Sequence, residues 1–97
     1  MKMFLLIYCE AADEAVIATL KEVGIQGYTK MMEACGEGTE TEPKLGTHIW
    51  PGRNNVIFMA VPDDAISLLD ARIRELKQEH PRAGIRSFLL PIEELAV

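Results

Sequence analysis

Apolar positions run along the chain in two rhythms. Residues 2–9, Lys-Met-Phe-Leu-Leu-Ile-Tyr-Cys, are apolar at almost every position, the pattern of a strand buried on both faces and therefore central in a sheet. Glu10-Ala-Ala-Asp13 then opens a helix whose stripe is Val16, Ile17, Leu20 and Val23, with Gly24 as its C-terminal glycine. Tyr28 to about Cys35 reads as a second strand, and Lys30 and Glu33 mark it as less buried. Residues 36–53 carry Gly36, Gly38, Pro43, Gly46, Pro51 and Gly52 and read as one long loop, of a length that in a compact domain is usually functional or mobile.

Asn54 to Val61 is a third strand, apolar on both faces through Val56, Ile57, Phe58, Met59 and Val61. Pro62-Asp63-Asp64 starts a second helix with Asp63 as N-cap. Its stripe is Ile66, Leu69, Ile73 and Leu76, while Asp70, Arg72, Arg74, Glu75 and Lys77 form a solvated face. His80-Pro81 stops it. Ile85 to Leu90 is a fourth strand ended by Pro91, and Ile92 to Leu95 are read as a short terminal turn.

The order β-α-β-β-α-β predicts an α+β, ferredoxin-like fold in which a four-stranded antiparallel sheet places its two most apolar strands at the centre. Right-handed crossovers put both helices on one sheet face. The opposite face of strands one and three is then apolar as well, with nothing left in the chain to cover it.

Composition sharpens that point. The chain has 97 residues, 48% of them hydrophobic, and glycine brings the share to about 56%, above the ~45–50% of ordinary globular chains. A chain of this size fits one domain, residues 1–97, and buries only about two-thirds of its unfolded surface alone. The surplus calls for a second buried surface, and another subunit is the simplest cover.

Charge and cysteines exclude several functions. A net charge of −5 argues against a phosphate-backbone footprint and so against nucleic acid as a partner. The longest uncharged apolar run, Met3 to Cys9, is far below the ~20 residues that span a bilayer, so no membrane insertion is expected. The start of the chain lacks the features of a signal peptide, and Cys9 and Cys35 form neither a disulfide framework nor a zinc motif. A cytoplasmic protein is expected.

Val23-Gly-Ile-Gln-Gly-Tyr-Thr-Lys-Met-Met-Glu-Ala-Cys-Gly36 resembles the segment of the PII signalling superfamily that runs from helix one through strand two into the T-loop. Gly84-Ile-Arg-Ser-Phe-Leu-Leu-Pro-Ile-Glu-Glu94 is similar to that family's fourth strand. His80-Pro81, followed by a strand ending in Leu-Pro, also resembles CutA, the divalent-cation-tolerance protein of the superfamily. The resemblance covers nearly the whole chain and implies a homotrimer whose inter-subunit clefts hold a small effector, an adenine nucleotide or an anion of about bicarbonate size. It further implies that loop 36–53 changes conformation to engage a membrane transporter or an enzyme. Ile7, Thr29 and Gly36 match nucleotide-contacting positions of the family, Gly38 follows in the same loop entrance, and Arg86 stands where the family has a phosphate-binding lysine. The loop is shorter than in PII, and the glycine-rich segment before strand four is cut to Arg82-Ala-Gly84; the chain is PII-like rather than a PII protein.

Within the loop, Gly46-Thr-His-Ile-Trp-Pro-Gly52 is the most unusual stretch. Trp50 either stacks on a base or anchors a partner, or it caps the core or the subunit interface. His48 ligates a metal or a phosphate, or is merely solvated. Cys35 and His48 with an acidic loop residue would suit copper or zinc, and this CutA-like handling of a divalent or copper ion is the alternative function. Glu33, Glu37, Glu40 and Glu42 otherwise read as a solvated acidic loop, with Lys44 its only cation before Arg53. Arg82 and Arg86, flanking Gly84, supply positive charge to an anion cleft or lie solvated on the surface. Nothing supplies an oxyanion site for Cys35, and helix capping accounts for Asp63 and Asp64. A binding protein is expected, not an enzyme.

Overall fold

Two strands with apolar side chains on both faces, β1 (Lys2–Cys9) and β3 (Asn54–Val61), pair antiparallel at the centre of one sheet. The structure, a computed structural model, describes residues 1–39 and 41–95. The edges are β2 (Thr29–Ala34) and β4 (Arg86–Pro91), giving the order β2-β3-β1-β4 with every pair antiparallel. A 3-10 turn (Glu10–Ala12) leads into α1 (Asp13–Val23), and another (Asp63–Ala65) leads into α2 (Ile66–Glu79). The expected βαββαβ arrangement is the one observed, and β1 and β3 have the predicted bounds.

The alternation of each central strand divides the core from the open face. Phe4, Leu6 and Tyr8 of β1 and Ile57, Met59 and Val61 of β3 are buried beneath the helices. They meet Val16 and Leu20 of α1 and Leu69, Ile73 and Leu76 of α2 in one cluster. The predicted helical stripes are therefore the packed ones, with Ile17, Val23 and Ile66 at their margins. Thr19 is a buried polar residue on the α1 stripe, and its hydroxyl donates to the Ala15 carbonyl of its own helix at 2.9 Å. Gly24 closes α1 at φ 93°, a left-handed conformation with no steric cost for glycine.

On the other sheet face the register builds a continuous apolar surface. Leu5 lies opposite Phe58 on one side and Phe88 on the other. Met3 is flanked by Ala60 and Leu90, and Met31 lies opposite Val56. Phe88 and Leu90 of β4 are 48% and 43% exposed there. This is the uncovered second face that the hydrophobic pattern predicts.

Four details differ from the sequence reading. Asp63 makes no capping bond; its carboxylate instead takes the Met1 ammonium at 3.0 Å and lies 3.8 Å from the Lys2 ammonium. β2 begins at Thr29 and is broken between Met31 and Ala34 by a register shift, where Glu33 adopts φ 61°. β4 begins one residue later than Ile85 and includes Pro91, a position an edge strand tolerates. Residues 92–95 form no turn.

Candidate functional site

The long connection between β2 and β3 is organised by short-range pairing. Gly36 and Lys44 exchange both backbone bonds, N–H to carbonyl at 2.8 and 2.7 Å, which brings these two ends of the segment together. A second closure follows, with the Gly46 N–H donating to Gly52 O at 3.0 Å and the Thr47 N–H to Trp50 O at 2.8 Å. The Trp50 N–H returns a bond to the Thr47 hydroxyl at 3.0 Å. His48 and Ile49 therefore sit at the tip of a tight exposed turn.

The first of these turns walls a cleft of about 420 Å³ at the end of the sheet. β1 contributes Ile7, β3 contributes Asn54, the connection after α2 contributes Gly84, and β4 contributes Arg86. Gly36, Gly38, Thr41, Glu42 and Lys44 come from the loop. Gly84 has φ 63°, and a side chain there would meet the Thr41 hydroxyl at 3.1 Å. Glycine is thus required both by the turn and by the close approach of the loop. The Arg82 guanidinium reaches the Glu42 carboxylate at 3.5 Å and joins the same two segments on the outside.

Four of the residues singled out from sequence, Ile7, Gly36, Gly38 and Arg86, meet in this cleft although they come from three separated parts of the chain. The other three lie outside its wall. Thr29 is exposed at the start of β2, opposite Phe58. Trp50 belongs to the second turn and is 40% exposed. Arg82 is on the surface beside Glu42.

The metal alternative finds no such convergence. Among the described residues no three His, Cys, Asp or Glu side chains come together as a metal site. The Cys35 thiol donates to the Leu45 carbonyl at 3.4 Å, and His48 is exposed. Glu40 lies outside the described residues.

Sequence reasoning missed two groups. Lys44, read as part of a solvated loop, is buried in the cleft wall. The only signal for it was its place as the lone cation among glutamates. The second group is a polar cluster at the start of α1. The Asp13 carboxylate accepts from the Tyr8 hydroxyl at 2.6 Å, the Lys30 ammonium at 2.9 Å and the Asn55 amide at 3.0 Å. Burial would raise the Asp13 carboxyl, but these three donors and the Lys30 charge outweigh it and hold it below the usual range. Burial, followed by the bond to Asp13, pushes the Tyr8 phenol well above its ordinary value.

No family model and no curated protein sequence matches the chain. Solved structures do match. CPII, a nitrogen regulatory PII-like protein from Thiomonas intermedia K12 bound to ADP, AMP and bicarbonate, superposes with a TM-score of 0.76 at 19% identity. That match covers 99% of this chain and 93% of CPII. CPII bound to ADP and bicarbonate gives 0.73 at 20% identity, covering 91% and 81%. A Thermus thermophilus protein described as a PII-like signalling protein gives 0.66 at 18% identity, covering 91% and 82%. The fold is the PII-like ferredoxin fold.

Proposed function

We propose that this chain is a PII-like regulatory protein that binds a small effector in the cleft at the base of loop 36–53 and signals by reshaping that loop. The observation that carries the reading is the convergence of Ile7, Gly36, Gly38 and Arg86 on one cleft of about 420 Å³. Ile7 and Gly36 match nucleotide-contacting positions of the PII family and Arg86 stands where it has a phosphate-binding lysine, and the fold that unites them is shared with a protein bound to ADP, AMP and bicarbonate. The effector is an adenine nucleotide, with or without a small anion beside it. The reading assigns the cleft no bond-breaking chemistry.

The apolar sheet face supports an oligomeric assembly. Met3, Leu5, Phe58, Phe88 and Leu90 lie together on it, and burial of such a surface against other copies stabilises an oligomer by roughly 25 cal/mol per Å² of apolar area. In the homotrimer proposed here each cleft would lie beside a neighbouring subunit. The client of the loop is a transporter or an enzyme reached from the cytoplasm; among the described residues no helix is long and apolar enough to cross a membrane.

Calorimetric titration with ADP, AMP and bicarbonate tests the effector. Saturable heat with a nucleotide, weakened in Arg86→Ala and accompanied by altered hydrogen exchange in residues 36–53, is the expected result. Absence of heat with all three ligands and unchanged exchange overturns the reading.

A further inference from the structure

The Lys44 side chain turns inward from the loop and is only 7% exposed. Its stem lies against Gly52, where an added Cβ would come within 2.8 Å of Lys44 Cδ. The ammonium donates to the Glu42 carbonyl at 2.6 Å and to the Thr41 hydroxyl at 3.4 Å. Both acceptors are neutral, and an ammonium has three protons to place.

No carboxylate pairs with Lys44 among the described residues. Two acidic side chains lie in the same wall, Glu37 and Glu42. Glu42 turns its carboxylate outward to Arg82 and leaves only its backbone oxygen to Lys44. A cation removed from water without a counter-charge is costly, yet this one borders an open cleft that Arg86 also lines.

We propose that Lys44 receives the anionic group of the cleft's ligand, a phosphate-type oxyanion, and that this contact couples ligand to loop. It rests on the reading of the cleft as a nucleotide site and identifies how that site would act on its loop. An oxyanion brought to the Lys44 ammonium takes its third proton and, as the stronger, charged acceptor, draws the group away from the Glu42 carbonyl and the Thr41 hydroxyl. Both of those acceptors belong to the turn that Gly36 and Lys44 close. Occupancy therefore loosens the hold of Lys44 on residues 41 and 42, while the reciprocal backbone bonds keep the base of the turn in place.

Titrations of wild type and Lys44→Met with ADP, adenosine and pyrophosphate test this, because methionine keeps an apolar stem against Gly52 and removes the charge. The expected result is a loss of about tenfold or more in affinity for ADP and pyrophosphate, as for one charge-assisted hydrogen bond, with adenosine unaffected. In parallel, the Lys44 Cε proton resonances of the wild type should shift with pyrophosphate and not with adenosine. That second measurement decides the matter if the variant does not fold. Unchanged ADP affinity in the variant, an equal loss for adenosine, or an unmoved Lys44 resonance overturns the proposal and leaves the nucleotide reading standing. Pyrophosphate binding through Lys44 without ADP binding keeps the anion site and removes the nucleotide reading. Wild type that takes neither removes both.

Discussion

Asp13 shows how much a single carboxylate can organise. It is the first residue of α1, and it accepts from Tyr8 of β1, Lys30 of β2 and Asn55 of β3, so one side chain joins the first helix to three strands. Asp13→Asn should destabilise the fold by about 2 kcal/mol, because charge-assisted bonds are weakened and Lys30 loses its partner; urea denaturation measures it. The pH dependence has a definite sign. A carboxyl held below its unfolded value of ~3.9 stabilises the fold above that pH, and the contribution is lost as pH falls through the folded value. Wild type should therefore lose stability more steeply than Asp13→Asn below about pH 4. Tyr8 acts at the other end of the scale, since a phenol raised by folding stabilises below ~10 and ceases to as pH climbs beyond it. None of this was legible in the sequence: Asp13 reads as an ordinary first-turn acid, and only the register that sets Tyr8 opposite Asn55 reveals the cluster.

Elements divide by how local their determinants are. β1, β3 and the α2 stripe were legible because their side-chain periodicity is set by burial on identifiable faces. The helical turn does begin at Asp63 as expected, but the capping role given to that residue was not legible, because its carboxylate is drawn to the ammonium groups of Met1 and Lys2, which sequence distance hides. The cleft was legible in part. Ile7, Gly36 and Arg86 could be picked out by likeness, which also pointed to Thr29 outside the cleft, but the burial of Lys44 depends on Gly52, eight residues further along the same loop. That loop consists of two hydrogen-bonded turns in series. Hydrogen exchange should accordingly show the Gly36, Lys44, Gly46 and Thr47 amides protected above Gly38 and His48. Uniformly fast exchange through residues 36–52 would contradict the pairing.

At the scale of the molecule, the two faces of the sheet have different duties. One is filled by the helices, and the other presents Leu5 between Phe58 and Phe88. Leu5→Asp places a carboxylate at the centre of that row. The wild type should sediment near three times the 10.8 kDa chain mass, and the variant should sediment as a folded monomer with its helical circular dichroism retained. A monomeric wild type would remove the assembly from the proposal.

The two borders of the sheet are also unequal. β2 is charged and broken at Glu33, whereas β4 runs straight through Phe88, Leu89 and Leu90, all of them exposed. Between Arg86 and Pro91 this border is uncharged and its pairing with β1 is unbroken, and the unpaired backbone groups of such an edge are a template for additional strands. An oligomer of the proposed kind that also covered β4 would therefore guard this protein against edge-to-edge aggregation.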